Sequence, residues 1–277
     1  PQRIARRHII TVHDVHYLHY PHYMTAASRR YYNDQITRSV RQADAILVPS
    51  EATKADLVAL LNVPAEKITT HMLGVHEMFH PVSPETVATI RARYNLPADY
   101  LLFVGTFEPR KNLPGLFAAY ALLRKELPDV PPLVLVGRKG WLMDEINATV
   151  EQHRLGDALR WIEDAPRTDL PALYAGARLL AAPSHYEGFG LTVVEAMACG
   201  TPPVISNRAS LPEVAGDAAL QIDPDEPAAL ADALRALLTD DALHAELRAR
   251  GLARAETFTW ERTAAAVLDV YRKVAAL

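Results

Sequence analysis

The sequence predicts an α/β protein made of two doubly wound, Rossmann-like units, the second whole and the first incomplete. Three observations lead there. Short β-branched or apolar runs alternate with longer segments of helical period, as in βα units around parallel sheets. The 277 residues fall between one large domain and two modest ones. A proline-punctuated stretch without periodicity, His76 to Pro84, separates a group of three strands from a group of six.

In the first group, strands are expected near residues 8–12, 45–48 and 67–72, and helices near 25–42 and 51–62, the latter capped by Ser50. In the second, strands are expected at Tyr100 to Val104, Leu133 to Val136, Leu159 to Ile162, Arg178 to Ala182, Pro203 to Ile205 and Ala219 to Ile222. Helix starts are marked by Pro114 in a first turn, Thr168 as a cap, and Ser210 with Glu213 as a capping box. After Pro227 the chain is rich in Ala, Leu and Arg and reads as helical, ending in a helix over Trp260 to Val274. The expected division is residues 1–82 for the latter part of a first domain, 83–258 for a complete second domain, and 259–277 for a closing helix. The chain starts at Pro1 and enters Ile9-Ile10-Thr11-Val12 almost at once, so it reads as a fold joined partway.

Composition narrows the function classes. Lys plus Arg is 29 and Asp plus Glu is 33, a net charge of −4, which is not the footprint of a nucleic-acid binder. Charged residues make up 22%, too few for the disordered class. The single cysteine, Cys199, can form neither an internal disulfide nor a multi-cysteine metal site, which fits a reducing, cytoplasmic setting. No apolar run approaches the roughly 18 residues of a membrane span, so any membrane contact is expected to be peripheral, at the inner face.

Ligands of doubly wound sheets bind beyond the carboxyl ends of the strands, and four loops there carry chemistry. In Gly105-Thr106-Phe107-Glu108-Pro109-Arg110-Lys111-Asn112, the glycine permits a tight exit from the strand and two cations stand beside a helix start, a setting for a phosphate or diphosphate or a merely solvated basic turn. Gly137-Arg138-Lys139-Gly140 has the same character and reads first as a turn, with Trp141 packing beside it. The strongest signal is Pro183 to Gly200. Glu187 lies in the loop above a helix beginning near Leu191, Glu195 about one turn inside it, and Gly188 and Gly190 let backbone amides approach an anion. Two carboxylates around an anion site suit phosphates bracketed by hydroxyl-bearing sugars. Fourth, His13-Asp14 follows the first strand, with His16, His19 and His22 beyond. Their spacing fits a substrate-cleft loop better than a zinc site. Asp223-Pro224-Asp225 resembles a manganese-holding triplet but reads as a helix cap, and Cys199 reads as a packed helix-end thiol.

Taken together, Glu187 to Glu195 and Gly105 to Asn112 make the chain resemble the family 4 retaining glycosyltransferases of GT-B fold. His13-Asp14, Val48-Pro49-Ser50-Glu51, Gly74-Val75, Gly200-Thr201-Pro202, Leu211-Pro212-Glu213-Val214 and Phe258-Thr259-Trp260-Glu261 fall in the family's order. The resemblance implies that Arg110 and Lys111 neutralise a donor diphosphate, that Glu187 holds the donor sugar and Glu195 the nucleotide ribose, and that the backbone of Phe189, Gly190 and Leu191 meets the phosphates. His13 would lie at the sugar and acceptor side, while Gly105, Thr106, Ile162 and Thr192 complete the donor-binding set. Similar enzymes need neither metal nor cofactor. Thr106 stands where some members carry Arg, and Trp161 to Pro166 lacks a glycine frequent after that strand, which bears on the nucleobase. The first block is most similar to bacterial mannosyltransferases of polysaccharide assembly, implying GDP-mannose as donor and a glycan or lipid-linked acceptor. A sugar-nucleotide epimerase of similar fold and an inactive nucleotide-sugar-binding module remain the alternatives.

Overall fold

The computed structural model describes residues 6–127 and 129–276; Pro1, where the chain starts, lies outside the described residues. The first domain contains β1 (Ile9–Thr11), α1 (His16–His19), α2 (Ala26–Gln42), β2 (Ala45–Val48), α3 (Glu51–Leu61) and β3 (Ile68–Thr70). Its strands are all parallel, in the order β1-β2-β3. Val12, Tyr17, Val40, Ile46, Val48, Leu57 and Ile68 form its core. Ser50 caps α3 as its sequence position suggests, accepting from the Thr53 N–H at 3.1 Å.

The second domain runs through α4 (Pro84–Arg93), β4 (Leu101–Val104), α5 (Leu113–Glu126), β5 (Leu133–Val136), α6 (Met143–Gln152), β6 (Leu159–Ile162), α7 (Leu170–Ala175), β7 (Leu179–Ala182), α8 (Leu191–Ala198), β8 (Pro203–Ser206), α9 (Leu211–Ala215), β9 (Leu220–Ile222), α10 (Pro227–Thr239) and α11 (Asp241–Ala255). The six strands are parallel in the order β6-β5-β4-β7-β8-β9. Chain order therefore reverses between β4 and β7, and the crevice of a doubly wound sheet opens beyond the carboxyl ends of those two strands. Helices cover both faces. Leu102, Val134, Leu180 and Ile205 pack into one core with Val193 and Met197 of α8. Their neighbours Leu101, Leu133, Leu135, Leu179 and Val204 face the other core with Leu116 and Leu234. Burial on both sides explains why these strands read as unbroken apolar runs.

Several local expectations give way to tertiary contacts. The stretch His76 to Pro84 is not a free linker, because Phe79 is buried edge-on to Tyr174 and Leu73, Val75 and Val82 pack on the same core. Thr168 caps nothing: it lies inside a 3-10 turn, Arg167–Asp169, and Asp169 next to it binds Arg93 and Tyr94 instead. Ser210 and Glu213 form no capping box. The Ser210 hydroxyl donates to the carbonyls of Glu187 and Phe189, and the Glu213 carboxylate crosses to the first domain. Asp223 and Asp225 do not cap α10; both accept from Arg208. Trp141 stays 40% exposed, and its indole N–H donates to the Tyr23 carbonyl at 2.6 Å.

A last helix, α12 (Trp260–Ala275), returns to the first domain, where Val270 and Val274 pack on Ala45 and Leu47 of β2. The outgoing and returning chains touch: the Val75 N–H donates to the Phe258 carbonyl at 3.0 Å, and the Thr263 hydroxyl to the Met72 carbonyl at 2.7 Å. Gly74 is required there, since a Cβ would stand 2.3 Å from the Trp260 nitrogen. Among the described residues no helix is long and apolar enough to cross a membrane.

Candidate active site

The loops after β4 and β7 meet at the switch point of the sheet. The first leaves β4 at Gly105, forms a 3-10 turn over Pro109–Lys111, and enters α5 through Asn112, whose left-handed backbone and side-chain bond to the Gly115 N–H start the helix. The second leaves β7 for Ser184 to Gly190. The His185 N–H donates to the Arg110 carbonyl at 2.9 Å, fastening one loop to the other.

That fastening places a buried ionic knot between them. Arg110 Nη1 is 2.7 Å from Glu187 Oε2 and from the Tyr186 carbonyl, and its Nη2 is 2.6 Å from Glu108 Oε1. Lys111 Nζ is 2.5 Å from Glu187 Oε1, which also accepts from the Ser184 hydroxyl at 2.7 Å. Burial alone would raise the Glu187 pKa. Arg110 and Lys111 outweigh it and bring the value down to about 2, so the group is a carboxylate at any ordinary pH. Burial likewise disfavours the Arg110 charge, but Glu187, Glu108 and Asp14 more than restore it.

Beside the knot lies a cavity of about 270 Å³ that spans both domains. His13, Asp14, Pro49 and Leu73 line it from the first, and Arg110, Lys111, Glu187 and residues 188–192 from the second. Gly190, with φ of 101°, is the N-cap of α8, and no side chain caps that helix, so its positive end faces the cavity through Leu191 and Thr192. Gly188 presses against the opposite domain: a Cβ there would stand 2.1 Å from the His13 carbonyl oxygen. The wall can take an anion at α8 and at the two cations. Its carboxylate can accept from hydroxyls.

The expected site residues fall into two groups. His13, Arg110, Lys111, Glu187, Phe189, Gly190, Leu191 and Thr192 line the one cavity, and the buried ring of Phe189 packs edge-on to Phe258. Gly105 stands behind Lys111, where a Cβ would meet Lys111 Cε at 3.6 Å, and Thr106 is exposed beyond it. Glu195 and Ile162 do not line the cavity. Ile162 is a core residue at the end of β6. Glu195 accepts from the Tyr174 hydroxyl at 2.9 Å, and burial, partly offset by Tyr174 and Arg167, lifts its pKa to about 7.

The open readings of the other loops resolve in ordinary ways. Arg138 and Lys139 form exposed ion pairs with Asp164 and Glu163, so their loop is a solvated turn. His16 pairs with Asp14 and His19 with Asp56, and among the described residues no group of three or more metal-ligating side chains gathers. Cys199 is fully buried at the end of α8, where burial pushes its thiol up to about 12, so it is a packed residue. Sequence reasoning missed Asp14 as a cavity residue, Glu108, Ser184, and Tyr186, whose hydroxyl donates to Asp56 of the first domain at 2.5 Å. Asp14 and Glu108 lie within the motifs themselves and could have been given a role by asking what balances Arg110.

Protein-family models match the chain twice: residues 88–254 fit "Glycosyl transferases group 1" and residues 2–77 fit "Glycosyltransferase Family 4". The chain is 38% identical over 273 residues to the O-antigen chain mannosyltransferase B of Escherichia coli, covering 98% of this chain and 71% of that protein. It is 30% identical over 250 residues to the serotype-specific mannosyltransferase WbdA of E. coli, covering 89% of this chain and 31% of that one. It thus spans less than three quarters of the first relative and about a third of the second. Among solved structures, sucrose-phosphate synthase from Thermosynechococcus elongatus superposes with a TM-score of 0.83 at 28% identity, covering 99% of this chain and 69% of that one. HepE of Anabaena in complex with UDP and glucose superposes with a TM-score of 0.82 at 20% identity, covering 98% and 72%, which speaks to the fold.

Proposed function

The chain belongs to the glycosyltransferases of group 1, with the GT-B fold, and from that premise we propose that it is the larger part of a retaining mannosyltransferase moving mannose from GDP-mannose to a glycan or lipid-linked acceptor. The observation that carries this reading is the convergence of Arg110, Lys111, Glu187 and the uncapped end of α8 on one cavity at the switch point. Arg110 and Lys111 take the donor diphosphate together with the α8 amides, and stabilise the charge that grows on it as the sugar leaves. Glu187 turns to the sugar hydroxyls. The C1–phosphate bond breaks, a C1–oxygen bond to the acceptor forms on the same face, and the acceptor hydroxyl proton passes to the departing phosphate. No protein nucleophile and no metal is invoked. Glu195 takes the ribose and Ile162 borders the base where the donor extends beyond that cavity, which neither residue lines. The enzyme works in the cytoplasm, against an acceptor presented at the inner membrane face.

Mannose as the sugar is supported by the likeness to the two E. coli mannosyltransferases. The test is to incubate the full-length protein with radiolabelled GDP-mannose, GDP-glucose or UDP-glucose and a mannosyl acceptor in the presence of EDTA, and to read the product anomer by NMR. Transfer from GDP-mannose alone, with an α-linked product, is expected. Transfer that needs a divalent cation, inverts the anomer or prefers another donor would overturn the corresponding part, and release of free nucleotide without an acceptor would point to an epimerase.

A further inference from the structure

The first domain brings to the cleft a carboxylate for which the donor block has no use. Asp14 follows β1, lines the cavity beside His13, and is near enough to Arg110 for each to stabilise the other's charge. Its Oδ1 is 2.6 Å from His16 Nδ1 and accepts from the His16 N–H at 3.3 Å. The imidazole therefore presents its proton at Nδ1 and fixes the carboxylate in one orientation. Among the described residues no side chain hydrogen-bonds Oδ2. The Asp14 side chain is 30% exposed and is part of the cavity lining.

Charge decides what such a group can hold. A carboxylate repels a diphosphate, so its ligand is uncharged where it makes contact and rich in hydroxyl donors. Position decides which hydroxyls. Asp14 Cβ lies 2.8 Å from where a Cβ on Gly188 would stand, next to Glu187 but on the opposing domain, so the two carboxylates face the cavity from its two walls. We propose that Asp14, oriented by His16, binds the hydroxyls of the acceptor sugar and selects a neutral polyol there. This rests on the glycosyltransferase reading above. Asp14 is then a substrate-binding residue and His16 a positioning residue. The same hydrogen bond to the His16 N–H also starts α1, and Asp14→Asn keeps that turn acceptor while removing the charge.

The experiment measures the KM for α-mannobiose, the KM for GDP-mannose and the Kd for GDP in the full-length wild type, Asp14→Asn and His16→Phe. Asp14→Asn should raise the acceptor KM by about tenfold or more, the size of one charge-assisted hydrogen bond, with the donor KM and the GDP Kd within about twofold of wild type. His16→Phe should raise the acceptor KM about threefold, with the same indifference to donor. An unchanged acceptor KM in Asp14→Asn overturns the assignment. So does an equal rise for donor and acceptor, which marks a structural role. A readout independent of turnover is the NMR titration of α-mannobiose into GDP-saturated protein: binding by wild type and its loss in Asp14→Asn support the proposal, and equal binding or none in either sinks it. A wild type that transfers from no donor defeats the function proposed above, while the titration still decides Asp14.

Discussion

The carboxylate of Glu187 lies 2.5 Å from the ammonium of Lys111, so the cation expected to meet a diphosphate is already engaged. With Arg110, Lys111, Glu108 and Glu187 counted together, the knot is neutral, and a diphosphate joining it intact would bring unbalanced negative charge. Under the proposed function, donor binding is therefore expected to draw Glu187 away from the cations and free it for sugar hydroxyls. Glu187→Gln removes the competitor. It should leave the GDP Kd equal to or tighter than wild type by calorimetry, while transfer falls by about a hundredfold or more. A weaker Kd would contradict the exchange.

Arg110 makes a fork that Lys cannot copy, reaching Glu108 with one nitrogen and Glu187 and the Tyr186 carbonyl with the other. Arg110→Lys keeps the charge and strands a buried carboxylate. A loss of about 2–3 kcal/mol is expected in urea unfolding, with weaker GDP binding. Stability within 0.5 kcal/mol of wild type, about the scatter of a surface substitution, would show that the fork is not what holds the two loops together.

Glu195 gives the protein a pH dependence near neutrality. Its folded pKa is about 7 against 4.5 for the free side chain, so the folded state holds the extra proton between those values. The stability linked to that proton is complete below 4.5 and is lost as pH rises through 7, by up to about 3 kcal/mol. Glu195→Gln should flatten the fall of wild-type Tm between about pH 5 and pH 8. Nucleotide affinity should run the other way, strengthening as Glu195 becomes a carboxylate able to accept from ribose hydroxyls. A wild-type Tm independent of pH over that interval would refute the shift.

Gly188 is needed for contact rather than conformation. A Cβ there would stand 2.1 Å from the His13 carbonyl, and Gly188→Ala should hold the cleft ajar. The expected signature is transfer reduced by about tenfold or more with GDP binding retained, and a larger radius of gyration by small-angle scattering. Unchanged transfer would mean that the loops do not close on each other during turnover.

Glu213 supplies α3 with a cap from the other domain, accepting from the N–H groups of Glu51 and Ala52 at 3.1 and 3.0 Å. Glu213→Ala should cost about 1 kcal/mol, the ordinary value of a lost cap. Because the cap bridges domains, the variant should also scatter as a more open molecule, and Glu213→Gln should recover most of both effects.

Ser50 and Glu213 together mark how far the sequence could be read. Both carry a helix-capping signature, and both do cap a helix. For Ser50 the helix is the one that follows it; for Glu213 it is a helix some 160 residues away. Strand positions and the Rossmann-like character of the second unit were legible because a two-sided sheet imposes long apolar runs. The donor-side cavity residues were legible because they sit at strand ends within one motif. What escaped was whatever depends on the two units meeting. Phe79 is an unremarkable aromatic until Tyr174 is beside it, and Trp141 has an aromatic ring's ordinary preference for packing until Tyr23 offers a carbonyl. Ile162 and Glu195 take their roles from the likeness to a motif; that Ile162 packs in a core and that Glu195 accepts from Tyr174 depends on strand and helix packing that spacing alone does not encode.

The paired crossings at Gly74 and Trp260 give the joint the mechanics of a door on two pins. One connecting strand would leave the second domain free to swing, twist and slide. Two segments fastened side by side, through Val75 to Phe258 and Thr263 to Met72, resist twisting and sliding, so rotation about the line through both is the motion that leaves these bonds intact. An opening that spares both fastenings is then expected to be one hinge rotation, and closing would return Gly188 to its place against the His13 carbonyl.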